Sequence, residues 1–185
     1  MRTKIAAQFE IPPPSDDKFT NSIYGVCYTP NGRNILVAVG DRIFFYNANT
    51  LEYEDSVKGH KDVVYCVACS KDGLRFASGS ADKTVVIWDS KRQGLLRYNH
   101  RDPIQALAYN PVLNSLVSVT DSDFGLWTLD QSNVVKHDLP AKGLCVDWSP
   151  DGQLLAIGCY NGLVLLKDKT GAKISELAKS TSPVW

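Results

Sequence analysis

The sequence predicts an all-β fold made of four repeats of one small sheet, and three observations support this prediction. Four segments share one order of strand, polar turn, strand, short turn and strand; they begin at Ile23, Val64, Ile104 and Gly143. Their strands are short and rich in β-branched and aromatic residues. The turn glycines leave no run of about ten or more residues with the 3.6-residue period of a helix.

The spacing between the first turns of successive segments gives the length of the repeat. The equivalent turn positions are Gly32, Gly73, Leu113 and Gly152. Successive positions differ by 41, 40 and 39 residues, and one four-stranded blade of a β-propeller occupies about 40–45 residues. We therefore expect four propeller blades.

Glycine at three of these turn positions permits the left-handed backbone that a tight turn between strands requires. Leu113 lacks this freedom, so the third hairpin should turn differently. Later in the fourth repeat, Asn161-Gly162 predicts a two-residue hairpin turn.

The balance of charges argues against nucleic acid and anionic lipid as partners. The chain has 20 Lys and Arg against 20 Asp and Glu, so no overall field gathers nucleic acid or anionic lipid. No stretch approaches the ~20 apolar residues of a membrane-spanning helix, and the N-terminus lacks the apolar run of a signal peptide. We therefore expect neither nucleic-acid binding nor direct insertion into a membrane.

The five cysteines favour a reducing compartment, because an odd number placed inside apolar runs is typical of free thiols. Cys66 and Cys69 have the spacing of a zinc or redox motif. On a strand, however, side chains three residues apart point to opposite faces, so these two sulfurs cannot hold one ion together. We predict no metal site and no cofactor.

The second repeat carries the residues that indicate a family. Gly59-His60 precede its first strand, Trp88-Asp89 end its third, and Ser78 and Asp82 lie between them. These features resemble the WD-repeat family, whose propellers most often have seven blades. The resemblance implies that the histidine, serine, aspartate and tryptophan form a buried hydrogen-bonded chain that links the strands of a blade. Their donors and acceptors can satisfy one another.

The third repeat matches the same pattern through His100, Ser118, Asp121 and Trp127, with asparagine in place of the glycine before the histidine. The first and fourth repeats lack the set. We therefore expect one structural hydrogen-bond network in the second repeat and another in the third.

A Ser-His-Asp hydrolase triad is the catalytic alternative for His60, Ser78 and Asp82. The same trio recurs one repeat later beside a second tryptophan, whereas a catalytic site is seldom duplicated in this way. The chain also lacks the Gly-x-Ser-x-Gly elbow of many hydrolases. We predict no catalytic residue and no enzyme activity.

The repeat divides the chain into an N-terminal extension, four blades and the start of a further blade. Residues 1–22 form the extension and are a candidate closing strand. The blades are expected at residues 23–58, 59–98, 99–140 and 141–181. Residues 182–185 resemble the opening of another first strand, so we expect the four blades to be part of a longer protein and of a larger, seven-bladed type of ring.

Several sequence strings are more particular than the general WD pattern. They are Lys58–Asp62, Val64–Ala68, Arg75–Lys83, Ser122–Trp127 and Ser182–Trp185. In this order and spacing they resemble the N-terminal propeller of the intraflagellar transport protein 122 family, over roughly residues 20 to 185.

This resemblance implies a non-catalytic protein-interaction scaffold. Family members are subunits of intraflagellar transport complex A and support retrograde ciliary transport and cilium assembly. The implied partners are other proteins, above all complex A subunits, and the implied location is the cilium or flagellum and basal body, on the cytoplasmic side. Surface loops at residues 47–58, 90–102 and 129–142 would present the contacts. The alternative is another WD-repeat adaptor, such as a coatomer-like coat subunit or a ubiquitin-ligase substrate receptor.

Overall fold

The computed structural model describes residues 22–128, 133–177 and 180–185. Within these ranges the chain has sixteen strands and no helix, which confirms the predicted all-β class. The expected N-terminal extension lies, apart from Ser22, outside the described residues.

The strands form four antiparallel sheets, each with four strands in chain order. The first contains β1 (Ile23–Tyr28), β2 (Asn34–Val39), β3 (Arg42–Asn47) and β4 (Tyr53–Lys58). The second contains β5 (Val64–Cys69), β6 (Arg75–Ser80), β7 (Thr84–Asp89) and β8 (Gly94–Asn99). The third contains β9 (Ala106–Tyr109), β10 (Leu116–Val119), β11 (Asp123–Trp127) and β12 (Val135–Asp138). The fourth contains β13 (Gly143–Trp148), β14 (Leu154–Cys159), β15 (Val164–Asp168) and β16 (Lys173–Leu177).

The fourth strand of each of the first three sheets lies where the sequence suggested a surface loop. β4, β8 and β12 fall inside the expected loops 47–58, 90–102 and 129–142. Asn99, placed in the third blade by the sequence, is the last residue of β8, where it pairs with Thr84. No residue of these outer strands is fully buried, so they lack the buried apolar run of the second and third strands.

Successive sheets pack face to face, and the hydrophobic core consists of the layers between them. The first layer joins the first and second sheets through residues such as Phe45 and Phe76. The second joins the second and third sheets around Ile104, and the third joins the third and fourth sheets around Phe124. The four described sheets do not close into a ring, because packing runs only from each sheet to the next.

One backbone hydrogen bond recurs where each sheet meets the next segment of chain. In each case the donor is a backbone N–H at or near the start of the following segment. The acceptor is the carbonyl of the last residue of the second strand in the preceding sheet, or of the residue after it, and the distances are 2.7–3.2 Å. The pairs are Val64 to Gly40, Ile104 to Ser80, Gly143 to Thr120 and Val184 to Cys159. Val184 thus occupies, against the fourth sheet, the position that Val64 occupies against the first.

The turns between first and second strands follow the glycine pattern with one predicted exception. Gly32, Gly73 and Gly152 have φ of 68°, 71° and 68°. In the third sheet the left-handed residue is Asn114, with φ of 52°, one position beyond Leu113. The prediction that this hairpin turns differently is confirmed.

The hairpin at Asn161-Gly162 differs from the prediction. The Cys159 N–H donates to the Leu163 carbonyl over 2.9 Å, which leaves three residues in the loop. The predicted two-residue turn is therefore wrong, because Tyr160 is also part of the loop.

No helix among the described residues is long and apolar enough to cross a membrane.

We predict that Leu51→Gly is more stable than Leu51→Ala by about 0.5–1 kcal/mol. Leu51 has a left-handed φ of 62° in the turn between β3 and β4, a conformation that is unfavourable for a residue with a Cβ. Both variants lack the leucine side chain, and only alanine keeps the Cβ. Urea denaturation gives the two free energies of unfolding, and equal values would contradict the strain.

Candidate functional site

Four side chains of the second sheet form a continuous hydrogen-bonded chain. The Trp88 indole N–H donates to Ser78 Oγ over 2.9 Å, and Ser78 Oγ lies 2.8 Å from His60 Nε2. His60 Nδ1 lies 3.1 Å from Asp82 Oδ2. The chain therefore joins β7, β6, the segment before β5, and the turn between β6 and β7.

The donors and acceptors assign the protons along this chain. An ionised Asp82 only accepts, so the shared proton lies on His60 Nδ1, and Nε2 accepts from the Ser78 hydroxyl. Ser78 Oγ then uses a lone pair for the Trp88 N–H. Three further donors complete Asp82: the Thr84 hydroxyl over 2.7 Å, the Thr84 backbone N–H over 3.0 Å and the Lys61 backbone N–H over 2.9 Å.

The environment keeps Asp82 charged. Burial opposes its ionisation, but the hydrogen bonds from His60, the Lys61 N–H and Thr84 outweigh burial and hold the pKa of this carboxyl well below its usual range. Asp82 is therefore a fixed acceptor at neutral pH, and it orients the imidazole.

Gly59 is required by the position of the tryptophan. A Cβ at Gly59 would lie 2.8 Å from Cζ2 of Trp88 and would overlap the indole ring. The glycine before the histidine is therefore explained by close packing rather than by an unusual backbone angle.

The third sheet has a related network with a different acid. His100 Nε2 lies 2.8 Å from Ser118 Oγ, and His100 Nδ1 lies 2.6 Å from Asp123 Oδ1. Asp121, the acid predicted from the sequence, instead accepts from Gln105 Nε2 over 3.1 Å and pairs with Lys142 Nζ at 3.0 Å. The assignment of Asp121 to the His100 network is therefore wrong.

A shorter turn explains this difference. Three residues separate Ser80 from Thr84 in the second sheet, whereas two separate Thr120 from Asp123 in the third. The first residue of β11 is thus equivalent to Thr84, and in the third sheet that residue supplies the carboxylate. The turn length between the second and third strands is the sequence signal that could have identified Asp123.

Trp127 does not repeat the role of Trp88. Among the described residues its indole N–H has no hydrogen-bond partner, and the Tyr98 hydroxyl donates to Ser118 Oγ over 3.2 Å instead. Asn99 stands where the second repeat has Gly59, so its Cβ would overlap an indole placed like that of Trp88. The predicted membership of Trp127 in the network is wrong; its ring packs in the core between the second and third sheets.

The His100–Asp123 pair is fully enclosed, with 0% and 2% of the two side chains exposed. Burial lowers the pKa of His100, although the hydrogen bond and charge of Asp123 partly oppose this effect. At neutral pH the imidazole is therefore neutral, with its Nδ1 proton directed at Asp123.

Burial determines what these networks can do chemically. Ser78 and Ser118 have no exposed surface, and His60 is 3% exposed. A substrate carbonyl could not reach Ser78 Oγ, which already accepts a hydrogen bond from the Trp88 indole N–H. The resemblance of His60, Ser78 and Asp82 to a hydrolase triad is thus one of composition, and their geometry fixes strands relative to one another.

The cysteine pair on β5 points in two directions, as the strand argument predicts. Cys69 packs in the core between the first and second sheets, and Cys66 packs in the core between the second and third. Across the part of the chain that the structure describes, no group of three or more His, Cys, Asp or Glu side chains is arranged to hold a metal ion.

Comparison with known proteins gives matches over most of the chain. Residues 22–185 match the family model described as IFT122 first beta-propeller. The intraflagellar transport protein 122 homolog of Xenopus tropicalis is 47% identical over 172 residues, and the Homo sapiens homolog is 45% identical over 172 residues. Each match covers 91% of this chain and 14% of the relative's length.

One further sequence match and one structural match are more distant. THO complex subunit 3 of Arabidopsis thaliana is 29% identical over 123 residues, which are 62% of this chain and 38% of that protein. The crystal structure of the Cps50 (Swd1) β-propeller domain from Myceliophteria thermophila superposes with a TM-score of 0.76 at 15% identity, and covers 86% of this chain and 57% of that one. At this identity the likeness shows the WD-repeat β-propeller fold alone.

We predict that Trp88→Phe costs more stability than Trp127→Phe by about 1 kcal/mol. Both substitutions shrink a buried indole to a phenyl ring, but only the first removes a hydrogen bond, the one to Ser78. Thermal or urea unfolding of the two variants gives the difference. Equal losses would mean that the Trp88 N–H contributes nothing to folding.

We predict that His100 contributes a loss of stability on acidification. Its folded-state pKa lies below the unfolded value of about 6.5, so the unfolded chain takes up the proton first as the pH falls. The contribution is complete above about pH 6.5 and declines from there towards the lower folded-state pKa.

His100→Gln should remove this part of the decline in the free energy of unfolding between about pH 7.5 and 5.5. Arg101→Gln is the matched control, because Arg101 is an exposed neighbour of His100 that lies outside the buried pair. An unchanged pH slope in His100→Gln would contradict the assignment.

Proposed function

The chain belongs to the family of the IFT122 first β-propeller, and we propose that it is a non-catalytic protein-interaction scaffold of intraflagellar transport complex A. The observation that carries the proposal is the 45–47% identity to intraflagellar transport protein 122 homologs over 91% of the chain. The role is support of retrograde ciliary transport and of cilium assembly.

The architecture supports a scaffold role through rigidity. Apolar layers between the sheets and the polar networks around Ser78 and Ser118 hold the strands in fixed positions. Neighbouring turns are also joined: Asn114 Nδ2 donates to Asp72 Oδ2, and Asn110 Nδ2 donates to the Gly152 carbonyl. A fixed frame of this kind presents its loops to partners at a low entropic cost.

The partners we propose are other proteins, the complex A subunits first among them, without nucleic acid and without direct insertion into a membrane. The location that follows is the cilium or flagellum and the basal body, on the cytoplasmic side. Catalysis is not part of the proposal, because Ser78 and Ser118 have no exposed surface and the hydroxyl of each already contacts a buried histidine.

We predict that this chain can replace its counterpart in a ciliated cell. Human cells that lack intraflagellar transport protein 122 would receive the human protein with its matching 172-residue region exchanged for the corresponding part of this chain. The chimera should assemble cilia and co-purify complex A subunits. The same chimera carrying Trp88→Ala is the unfolding control and should do neither.

A folded chimera that recovers no complex A subunits would contradict the proposal. Recovery of coat subunits or ubiquitin-ligase subunits in their place would identify a different WD-repeat adaptor. Circular dichroism and a cooperative melt of the purified chimera establish that it is folded.

A further inference from the structure

Two thiols meet at the interface between the first and second sheets. Cys27 Sγ on β1 lies 3.5 Å from Cys69 Sγ on β5, although the two residues are 42 positions apart in the chain. Both cysteines are free and both pack against the same apolar layer.

Strand register explains why these two side chains face each other. Cys27 pairs with Leu36, and Cys69 pairs with Phe76. Leu36 and Phe76 both belong to the layer between the two sheets, so each cysteine projects into that layer from its own side. A disulfide bond is about 2.0 Å long, and the sulfurs would need to approach by about 1.5 Å to form one.

A cavity lies beside one of the two cysteines. It has a volume of about 150 Å³, and its lining includes Cys69, Thr29, Asn31, Arg75 and Arg92. Its lining also includes the apolar side chains of Leu36, Phe45 and Phe76, and hydrogen peroxide is small enough to fit the cavity. Cys27 does not line the cavity.

The contact between the thiols gives them different roles. Either thiol can donate the hydrogen bond between the two sulfurs; when Cys27 donates it, the bond lowers the pKa of Cys69, although burial opposes the effect. The same hydrogen bond, together with burial, raises the pKa of Cys27. With the proton on Cys27, the cysteine that lines the cavity is also the one that more readily becomes a thiolate, the reactive form of cysteine.

We propose that Cys27 and Cys69 are a redox couple that hydrogen peroxide converts into a disulfide between the first and second sheets. The Cys69 thiolate attacks one peroxide oxygen, forms a sulfenic acid and releases hydroxide. The Cys27 sulfur then attacks the Cys69 sulfur, its thiol proton leaves with the sulfenic oxygen as water, and the S–S bond forms. The two thiols lose two electrons in all, and the peroxide gains them.

This modification is separate from the scaffold role and does not depend on it. A bond between residues 27 and 69 would add a covalent link between two sheets that otherwise pack through noncovalent contacts, among them the ion pairs of Arg92 with Glu54 and Asp55. It would also restrict the unfolded chain, so the oxidised protein should be more stable than the reduced one.

Cys66 provides a matched comparison on the same strand. It faces the opposite layer, its thiol donates to the Gly79 carbonyl, and burial raises its pKa to about 12. It has neither a thiol neighbour like Cys27 nor the cavity. Cys66→Ser keeps a hydroxyl donor at that position and leaves the proposed couple intact.

The test is peroxide titration of the reduced 185-residue chain, followed by alkylation, intact mass measurement and peptide mapping. Five free thiols less the two that join should leave three, with one cross-linked peptide that contains Cys27 and Cys69. The melting temperature should rise by about 5–10 °C, and a reducing agent should reverse both changes. Cys66→Ser should behave like the wild-type chain.

Cys27→Ser should lose the cross-link and the thermal shift, and a sulfenic-acid probe should then label Cys69. Because the wild-type peptide map needs no variant, poor folding of Cys27→Ser would not remove the test. Five alkylatable thiols after oxidation, or a cross-link that joins other cysteines, would overturn the proposal.

Discussion

The buried hydroxyl of Ser78 bonds to both His60 and Trp88, and within the described residues neither the His60 Nε2 atom nor the Trp88 N–H has another partner. The arrangement of the second sheet follows from this requirement. The Trp88 N–H must find an acceptor and His60 Nε2 must find a donor, and one Oγ supplies both. Trp88 in turn stacks on Phe76, with ring centroids 5.8 Å apart and an angle of 4°. The polar chain therefore also fixes the apolar surface against which the first sheet packs.

The third sheet meets the same requirement with different residues. Ser118 Oγ again contacts a buried histidine, but the second group it serves is the Tyr98 hydroxyl, and the acid is the first residue of β11. The repeat thus preserves a pattern of donors and acceptors more closely than it preserves residue identity. A duplicated, enclosed network of this kind is suited to hold strands together, and this is the basis on which a scaffold is preferred to an enzyme.

The sequence predicts the period of about 40 residues and the three inner strands of each sheet, because buried strands need apolar runs. It also predicts the first turns, because left-handed turns favour glycine. The positions of the fourth strands could not be predicted, since an outer strand such as β4 has no fully buried residue and lacks an apolar run. Asp121 was assigned by alignment with Asp82, and one missing turn residue moved the acid to Asp123. Trp127 lies outside the hydrogen-bond network because the Cβ of Asn99 would overlap an indole placed like that of Trp88. The repeat period of the sequence does not reveal such a single steric overlap. The Cys27–Cys69 contact depends on how two sheets face each other, which strand patterns alone do not specify.

Because His60 and Trp88 both bond to the hydroxyl of Ser78, their contributions to stability should be coupled, and a double-mutant cycle measures this coupling. His60→Ala, Trp88→Phe and the double variant would be compared by their free energies of unfolding, with His60→Ala and Trp127→Phe as the reference pair. The account predicts a coupling energy of about 0.5–3 kcal/mol for the first pair and additivity within about 0.5 kcal/mol for the second. Additive losses for His60 and Trp88 would contradict a shared network.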